Sequence, residues 1–126
     1  MKLRSIVSGC VLLACLIFAN ARPLRPDPPF ENRCGWFQNP TPANIWLADR
    51  DGEWMIGVQG GYQVESDWEW PAFKKGQWVE TNGHHGYGCA CMRVRVDRES
   101  WHVLEIKSST ARPLSACRKD RSLKPL

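Results

Sequence analysis

Short runs of apolar and β-branched residues alternate with polar residues along much of the chain. The clearest alternation runs from Cys89 to Val96, and Trp101 to Lys107 follows it after a polar turn at residues 97–100. Because successive side chains of a strand point to opposite faces, this period of two predicts β-strands rather than helices. One face of the first run is apolar throughout: Ala90, Met92, Val94 and Val96.

A β-hairpin is predicted around the turn sequence Arg50-Asp51-Gly52. Residues 44–49 and 53–58 flank this turn, and both runs are rich in strand-forming residues. Asp-Gly is a strong hairpin signal because glycine accepts the positive φ that tight turns need. Further short strands are predicted at four places: 33–37, 62–65, 67–70 and 77–81.

The strands predict an all-β fold: a small single-domain antiparallel sheet curled into a barrel or sandwich, with little helix. Pro40 and Pro42 should end the first strand, since proline cannot donate to a strand ladder. A short helical turn is expected only around residues 115–120. The β domain is predicted at residues 30–117, followed by a loose, basic C-terminal tail at residues 118–126.

The N-terminus is predicted to be a signal peptide covering residues 1–21. Lys2 and Arg4 precede an apolar run from Ile6 to Phe18, and Ala19-Asn20-Ala21 supplies small residues for cleavage. The apolar run is shorter than the roughly 20 residues of a membrane-spanning helix, so no membrane span is predicted. Residues 22–29 contain four prolines and form an extended leader before the domain.

A lipid anchor at Cys15 is the alternative to cleavage after Ala21. Leu12-Leu13-Ala14-Cys15 resembles the motif that precedes a lipidated cysteine in bacterial lipoproteins. Leu13 is a poor residue at its position in that motif, and an N-terminus beginning Cys-Leu-Ile-Phe would be unusually apolar. Cleavage after Ala21 is therefore preferred, with a periplasmic or secreted product.

Four cysteines remain after the signal peptide is removed, an even number that predicts two disulfides in an oxidising compartment. Cys89 and Cys91 lie two residues apart on a strand and face the same way, so a bond between them would close too tight a ring. Cys34 therefore takes one of them and Cys117 the other. The sequence leaves the choice open.

Charge and composition limit the classes of binding partner that the sequence predicts. Removing Lys2 and Arg4 leaves 15 basic residues against 13 acidic ones, a balance that does not indicate a nucleic-acid partner. The seven tryptophans are the unusual feature of a domain this small. Strong strand patterns place Trp46, Trp54 and Trp101 in the core, because indole offers a large apolar area.

Trp68 and Trp70 are the candidates for an exposed aromatic surface, since they share one face beside acidic residues and a proline. The glycine-rich loop at residues 82–88 contributes His84, His85 and Tyr87 as further candidate binding residues. Its glycines would let the backbone of a partner approach closely. These features favour a non-enzymatic binding or inhibitor-like module that recognises an envelope polymer or protein and needs no cofactor.

Two enzymatic or metal-based alternatives remain open. Glu65, Asp67 and Glu69 alternate along one face and could supply the carboxylate pair of a small envelope hydrolase. The loop histidines with Cys89 and Cys91 could instead handle a metal or redox chemistry. The spacing fits no established zinc pattern, and adjacent histidines on an extended segment would face opposite sides, so no metal site is predicted.

Four segments carry a resemblance to a known family: Arg33–Pro42, Asp49–Trp54, Gly86–Cys91 and Pro113–Asp120. Together they resemble a family of short exported bacterial proteins classified as a domain of unknown function. The resemblance extends over about residues 33–123. It implies export in a Gram-negative bacterium and brings no activity or site residues with it.

Overall fold

The computed structural model describes residues 24–126, so the predicted signal peptide, Cys10 and Cys15 lie outside the described residues. Six strands and one short helix follow in chain order: β1 (Glu31–Thr41), β2 (Asn44–Ala48), β3 (Glu53–Gly57), β4 (Trp78–Asn82), β5 (His85–Asp97), β6 (His102–Arg112) and α1 (Leu114–Arg118). The mostly-β fold with two disulfides and little helix is confirmed.

The strands form one sheet that curls into a near-ring. The order is β1-β2-β3-β6-β5-β4, and β1 also pairs with β5, so five strands follow one another around the ring. β5 returns beside β1 after the β1–β2–β3 meander, which is the connectivity of a Greek key in a partly open barrel. The sheet is mixed rather than antiparallel throughout, because β3 pairs with β6 in parallel.

The ring is weakest between β3 and β6. The two strands share one residue pair, Met55 with His102, beside which the Met55 amide donates to the Trp101 carbonyl at 2.8 Å. The residues between β3 and β4, 58–77, cross this gap; we call them the seam segment. Val64 N donates to Ile56 O at 3.0 Å on the β3 side of the gap.

The seam segment is held on the β6 side by polar side chains. Tyr62 donates its hydroxyl hydrogen to the Val103 carbonyl at 2.6 Å, and the Ile106 amide donates to Ser66 Oγ at 3.1 Å. The gap is thus closed by a single crossing chain rather than by a continuous strand ladder. This segment carries the two tryptophans singled out by the sequence.

The two faces of β5 contact different apolar clusters. Its inward face carries Ala90, Met92, Val94 and Val96, all buried against Phe37, Leu47, Trp54, Ile56, Val103 and Ile106. The apolar face predicted from the alternation is therefore confirmed. Its outward face carries Cys89, which packs with Trp36, Cys117 and Leu123 in a second, smaller cluster.

Several details differ from the prediction. β1 continues through Pro40, because pairing with β5 ends at Asn39 and the register with β2 shifts between Gln38 and Thr41, so the missing amide costs no ladder bond. Residues 62–65 and 67–70 form no strands apart from a bridge between Gly57 and Gln63. The C-terminal tail is not loose: Leu123 is buried in the second cluster.

The assignment of three tryptophans to the core is correct for one of them. Trp54 is fully buried, whereas Trp46 is half-buried and Trp101 is 41% exposed. Trp101 ends the β5–β6 turn with φ of 61°, in the left-handed region, and its ring lies 4.5 Å from that of Trp54. A strand pattern gave no sign of this turn conformation, which few non-glycine residues adopt.

Candidate functional site

The seam segment presents an aromatic pair at the surface. The rings of Trp68 and Trp70 lie nearly parallel, at an interplanar angle of 15° with centroids 5.7 Å apart. Both rest on the buried ring of Phe37, at centroid distances of 6.3 and 5.1 Å. Trp68 packs against the main core, and Trp70 remains 46% exposed. The pair is therefore a fixed apolar surface with one indole open to solvent.

Alternation along the seam segment explains this arrangement. The chain is extended there, so Val64, Ser66 and Trp68 turn inward while Glu65, Asp67 and Glu69 are exposed. The prediction that the three acidic residues share one side fits this pattern, although the segment is not a strand. The alternation ends at Trp70, which is exposed, and the next residue, Pro71, is buried instead.

A groove of about 530 Å³ runs between the seam segment and β6. We call it the Trp68 groove, and its lining combines one indole with carboxylates, hydroxyls and an amine: Asp67, Trp68, Glu69, Lys107, Ser108 and Ser109. Ser109 donates to the Glu69 carbonyl across one end of the groove. The lining offers hydrogen-bond donors and acceptors around an apolar ring, the usual composition of a site for a polar organic ligand.

The geometry of the loop histidines differs from the prediction. The turn at Gly83 brings the two imidazole rings to a centroid distance of 4.2 Å, on the same side rather than on opposite sides. His85 Nδ1 lies 2.8 Å from Asn39 Oδ1, and the exposed His84 accepts a hydrogen bond at its carbonyl from Trp78 Nε1 at 3.0 Å. Trp78 thus links the loop to Phe37 and the aromatic pair.

Tyr87 is not part of this region. It lies on the outward face of β5, where its ring meets Trp36 edge-on at 5.5 Å. The structure therefore brings Trp68 and Trp70 together and His84 and His85 together, while Tyr87 contacts Trp36.

Two of the three glycines in the loop, Gly86 and Gly88, do not leave room for a partner. A Cβ on Gly88 would collide with the ring of Phe73 and come within 2.8 Å of the Gln77 carbonyl, and one on Gly86 would collide with the Val79 carbonyl. The protein's own chain already fills the space above both residues. The expected close approach of a partner backbone is therefore blocked at Gly86 and Gly88, whereas a Cβ on Gly83 would meet nothing within 4 Å and that position is open.

The cysteines pair as Cys34–Cys91 and Cys89–Cys117, which settles the choice that the sequence left open. Each of the four sulfurs is therefore part of a disulfide, so none is a thiolate that could bind a metal ion. Among residues 24–126, no group of three or more His, Cys, Asp or Glu side chains is placed to hold a metal ion.

A buried charge cluster around Arg33 was missed by the sequence analysis. Its guanidinium contacts Asp49 at 2.6 Å, Asp51 at 2.9 Å and Glu31 at 2.8 Å, and lies 4.1 Å from the ring of Trp54. Burial opposes the positive charge, but the hydrogen bonds with these carboxylates outweigh it and raise the pKa of Arg33. The Arg33 hydrogen bond in turn lowers the pKa of Asp51.

This cluster satisfies its own charges and so has little left for a ligand. Asp49 also accepts hydrogen bonds from the Asp51 amide at 2.8 Å and the Gly52 amide at 3.2 Å. The cluster thereby fixes the β2–β3 turn onto β1. The sequence does contain a signal for this cluster. An arginine lies in the first predicted strand, and acidic residues lie at the predicted Asp-Gly turn.

The geometry defines a small, mostly-β barrel domain with two disulfides, an aromatic pair and a mixed polar groove. Residues 29–124 match the model of the family described as "Protein of unknown function (DUF4087)", and the chain belongs to this family. A search of curated proteins found no match, and a search of solved structures found none either.

Two structural facts bear on location. The two disulfides indicate a protein of an oxidising compartment outside the cytoplasm. Within the part of the chain that the structure describes, no helix has the length and apolar character needed to cross a membrane.

Proposed function

We propose that this domain is a non-catalytic module that binds a carbohydrate polymer outside the cytoplasm. The observation that carries the proposal is the parallel Trp68–Trp70 pair, with Trp70 46% exposed, beside the polar Trp68 groove. Sugar rings have an apolar C–H face that packs on indole and a rim of hydroxyls that needs hydrogen-bond partners. The Trp68–Trp70 pair supplies the apolar surface for the C–H face, and the Trp68 groove supplies hydrogen-bond partners for the hydroxyls.

Rigidity supports the same proposal. Phe37, fully buried, lies under both indoles, and Ser109 and Ser66 tie the seam segment to β6. A ligand therefore meets side chains that are already in position, and binding costs little conformational entropy. The groove carries two carboxylates and one amine, and this small net negative charge suits a polymer of low charge.

The test uses the hexamer of β-1,4-linked N-acetylglucosamine as a soluble probe and purified peptidoglycan as an insoluble one. Trp70→Ala should weaken binding of the hexamer roughly 10-fold, as measured by calorimetry and by tryptophan fluorescence. Trp101→Ala is the matched control, because Trp101 is exposed to a similar extent, 41%, beside the β2–β3 turn. Unchanged affinity of Trp70→Ala, or equal losses in both variants, contradicts the proposal.

A protein partner is the alternative ligand class, because exposed tryptophans also anchor protein interfaces. Binding to neither carbohydrate probe, together with a Trp70-dependent complex after cross-linking in envelope extracts, would favour it.

A small hydrolase is the second candidate function, because Asp67 and Glu69 both line the Trp68 groove. Glycoside hydrolysis uses two carboxylates on either side of the scissile bond. The combined change Glu65→Gln, Asp67→Asn and Glu69→Gln should abolish release of reducing ends by a hydrolase. A binding module should retain most of its affinity after the same change.

We further propose that the chain is exported by a Gram-negative bacterium to the periplasm after cleavage at Ala21. The disulfides support export, and the sequence of residues 1–21 supports the route. The intact mass of the exported protein distinguishes a chain that begins at Arg22 from one lipidated at Cys15.

A further inference from the structure

The two disulfides lie side by side on the outward face of β5 around one small cavity of about 130 Å³. The cavity is lined by all four cysteines together with Arg112 and Asp120. Its position is separate from the Trp68 groove.

The two bonds differ in accessibility. Cys34 is exposed and Cys91 is half-buried, whereas Cys89 and Cys117 are only 3% and 4% exposed. A thiolate from solution can therefore reach Cys34, while the second bond is shielded. Access to the attacked sulfur is one of the factors that set the rate of thiol–disulfide exchange.

They also differ in what they hold together. Cys34 and Cys91 are directly opposite one another in a ladder that runs from the pair Glu31–Val94 to the pair Asn39–Gly86. The backbone hydrogen bonds of β1 and β5 keep these residues adjacent whether or not their sulfurs are bonded. Cys117, in contrast, lies in α1, which no strand ladder attaches to the barrel.

A cation stands beside the exposed bond. Arg112 Nη1 lies 3.4 Å from Cys91 Sγ, where its charge favours a thiolate on that sulfur. The other charged group of the cavity, Asp120, is held by Ser122, whose amide and hydroxyl donate to its Oδ1 at 2.9 and 2.6 Å. These bonds lower the pKa of Asp120. Arg93, two residues along the same face of β5, donates to Asn32 Oδ1 at 3.4 Å instead of to a sulfur.

We propose that Cys34–Cys91 is a reversible redox site that exchanges with a dithiol reductant, while Cys89–Cys117 stays oxidised. A thiolate of the dithiol attacks Cys34 Sγ, forms a mixed disulfide and expels Cys91 as a thiolate beside Arg112. The second thiolate of the dithiol then attacks the dithiol's own sulfur in the mixed bond. This step releases Cys34 as a thiolate, which takes a proton from water. The dithiol is oxidised by two electrons, and the protein disulfide is reduced.

The experiment equilibrates the folded, disulfide-bonded protein with reduced and oxidised dithiothreitol, quenches with acid and alkylates the free thiols. Peptide mass mapping should find a species alkylated at Cys34 and Cys91 alone, and circular dichroism should show its strand content unchanged. Arg112→Gln should slow the reduction of this bond about 3- to 10-fold, because the leaving thiolate loses its cation. Arg93→Gln, which removes the same charge from the same face without a sulfur contact, should change the rate by less than about twofold.

Three outcomes would overturn the proposal. The two bonds could open together, the Cys89–Cys117 bond could open first, or the two arginine variants could behave alike. The double variant Cys34→Ala, Cys91→Ala supplies an independent measure. It should fold with the strand content of the parent, and its failure to fold would make this bond a structural one.

Discussion

At the scale of single residues, Arg33 shows how a buried charge can be tolerated in a small barrel. The side chain is only 6% exposed, and three carboxylates and the ring of Trp54 surround it. Arginine suits this position because its planar fork can bond several oxygens while its face stacks on indole. The result is a connection between β1 and the β2–β3 turn that depends on charge rather than on apolar packing.

Asp49→Asn tests that connection, because it keeps an oxygen for the Asp51 and Gly52 amides but removes the charge facing Arg33. We expect the free energy of unfolding to fall by about 2–3 kcal/mol, measured by urea denaturation, since a buried guanidinium loses its most buried partner. Asp51→Asn is the control: Asp51 is 41% exposed, so water can replace its interaction and the loss should be smaller. Equal effects of the two variants would show that burial does not decide the strength of these pairs.

At the scale of elements, the alternation in the sequence correctly predicted the strands that pair with a neighbour along their length. It failed for the seam segment, which crosses the gap between β3 and β6 without forming a strand. The hairpin at Arg50-Asp51-Gly52 is present, and the apolar face of β5 is the one expected. The seam segment has the same period of two, since it is extended and covers the core. It lacks a partner strand, however, and a pattern of burial cannot distinguish a chain held by a ladder from one held by Tyr62 and Ser66.

The candidate site was predicted only in part, for a related reason. Trp68 and Trp70 stood out because they alternate with acidic residues, but Phe37 beneath them is distant in sequence and could not be linked to them. Lys107, Ser108 and Ser109 line the Trp68 groove from β6 and carry no motif. The turn conformation at Trp101 could not be predicted, because a left-handed backbone usually occurs at glycine or asparagine.

Gly88→Ala tests whether β4 and the seam segment depend on close approach to β5. A Cβ at this position meets the Phe73 ring and the Gln77 carbonyl, so the variant should lose about 1–3 kcal/mol of unfolding free energy in urea. Gly61→Ala is the control, because its Cβ would meet Val58 at an ordinary 3.8 Å and its change should stay within about 0.5 kcal/mol. A neutral Gly88→Ala would mean that the seam segment moves aside at little cost.

At the scale of the whole molecule, the barrel is a ring with one weak junction and one attached tail. Strand ladders join β1, β2 and β3 on one side and β1, β5 and β6 on the other, while the seam segment closes the gap between β3 and β6. The C-terminal residues lie outside this ring. A five-residue helix is too short to be stable alone in water, so α1 depends on Cys117 and on Leu123 packing beside Trp36.

The double variant Cys89→Ala, Cys117→Ala should therefore release the tail and leave the ring intact. Hydrogen exchange followed by mass spectrometry should show faster exchange of the amides at residues 114–123, while those of β5 remain protected because their partners in β1 and β6 are unchanged. The closed loop joins residues 28 apart, so its loss should cost about 3–4 kcal/mol of unfolding free energy. Cys34→Ala with Cys91→Ala is the comparison: it should leave residues 114–123 protected. If the amides of residues 114–123 instead stay protected without Cys89–Cys117, then packing of Leu123 and its neighbours is sufficient to hold the tail. In that case Cys89–Cys117 would not be needed to attach the tail to the ring.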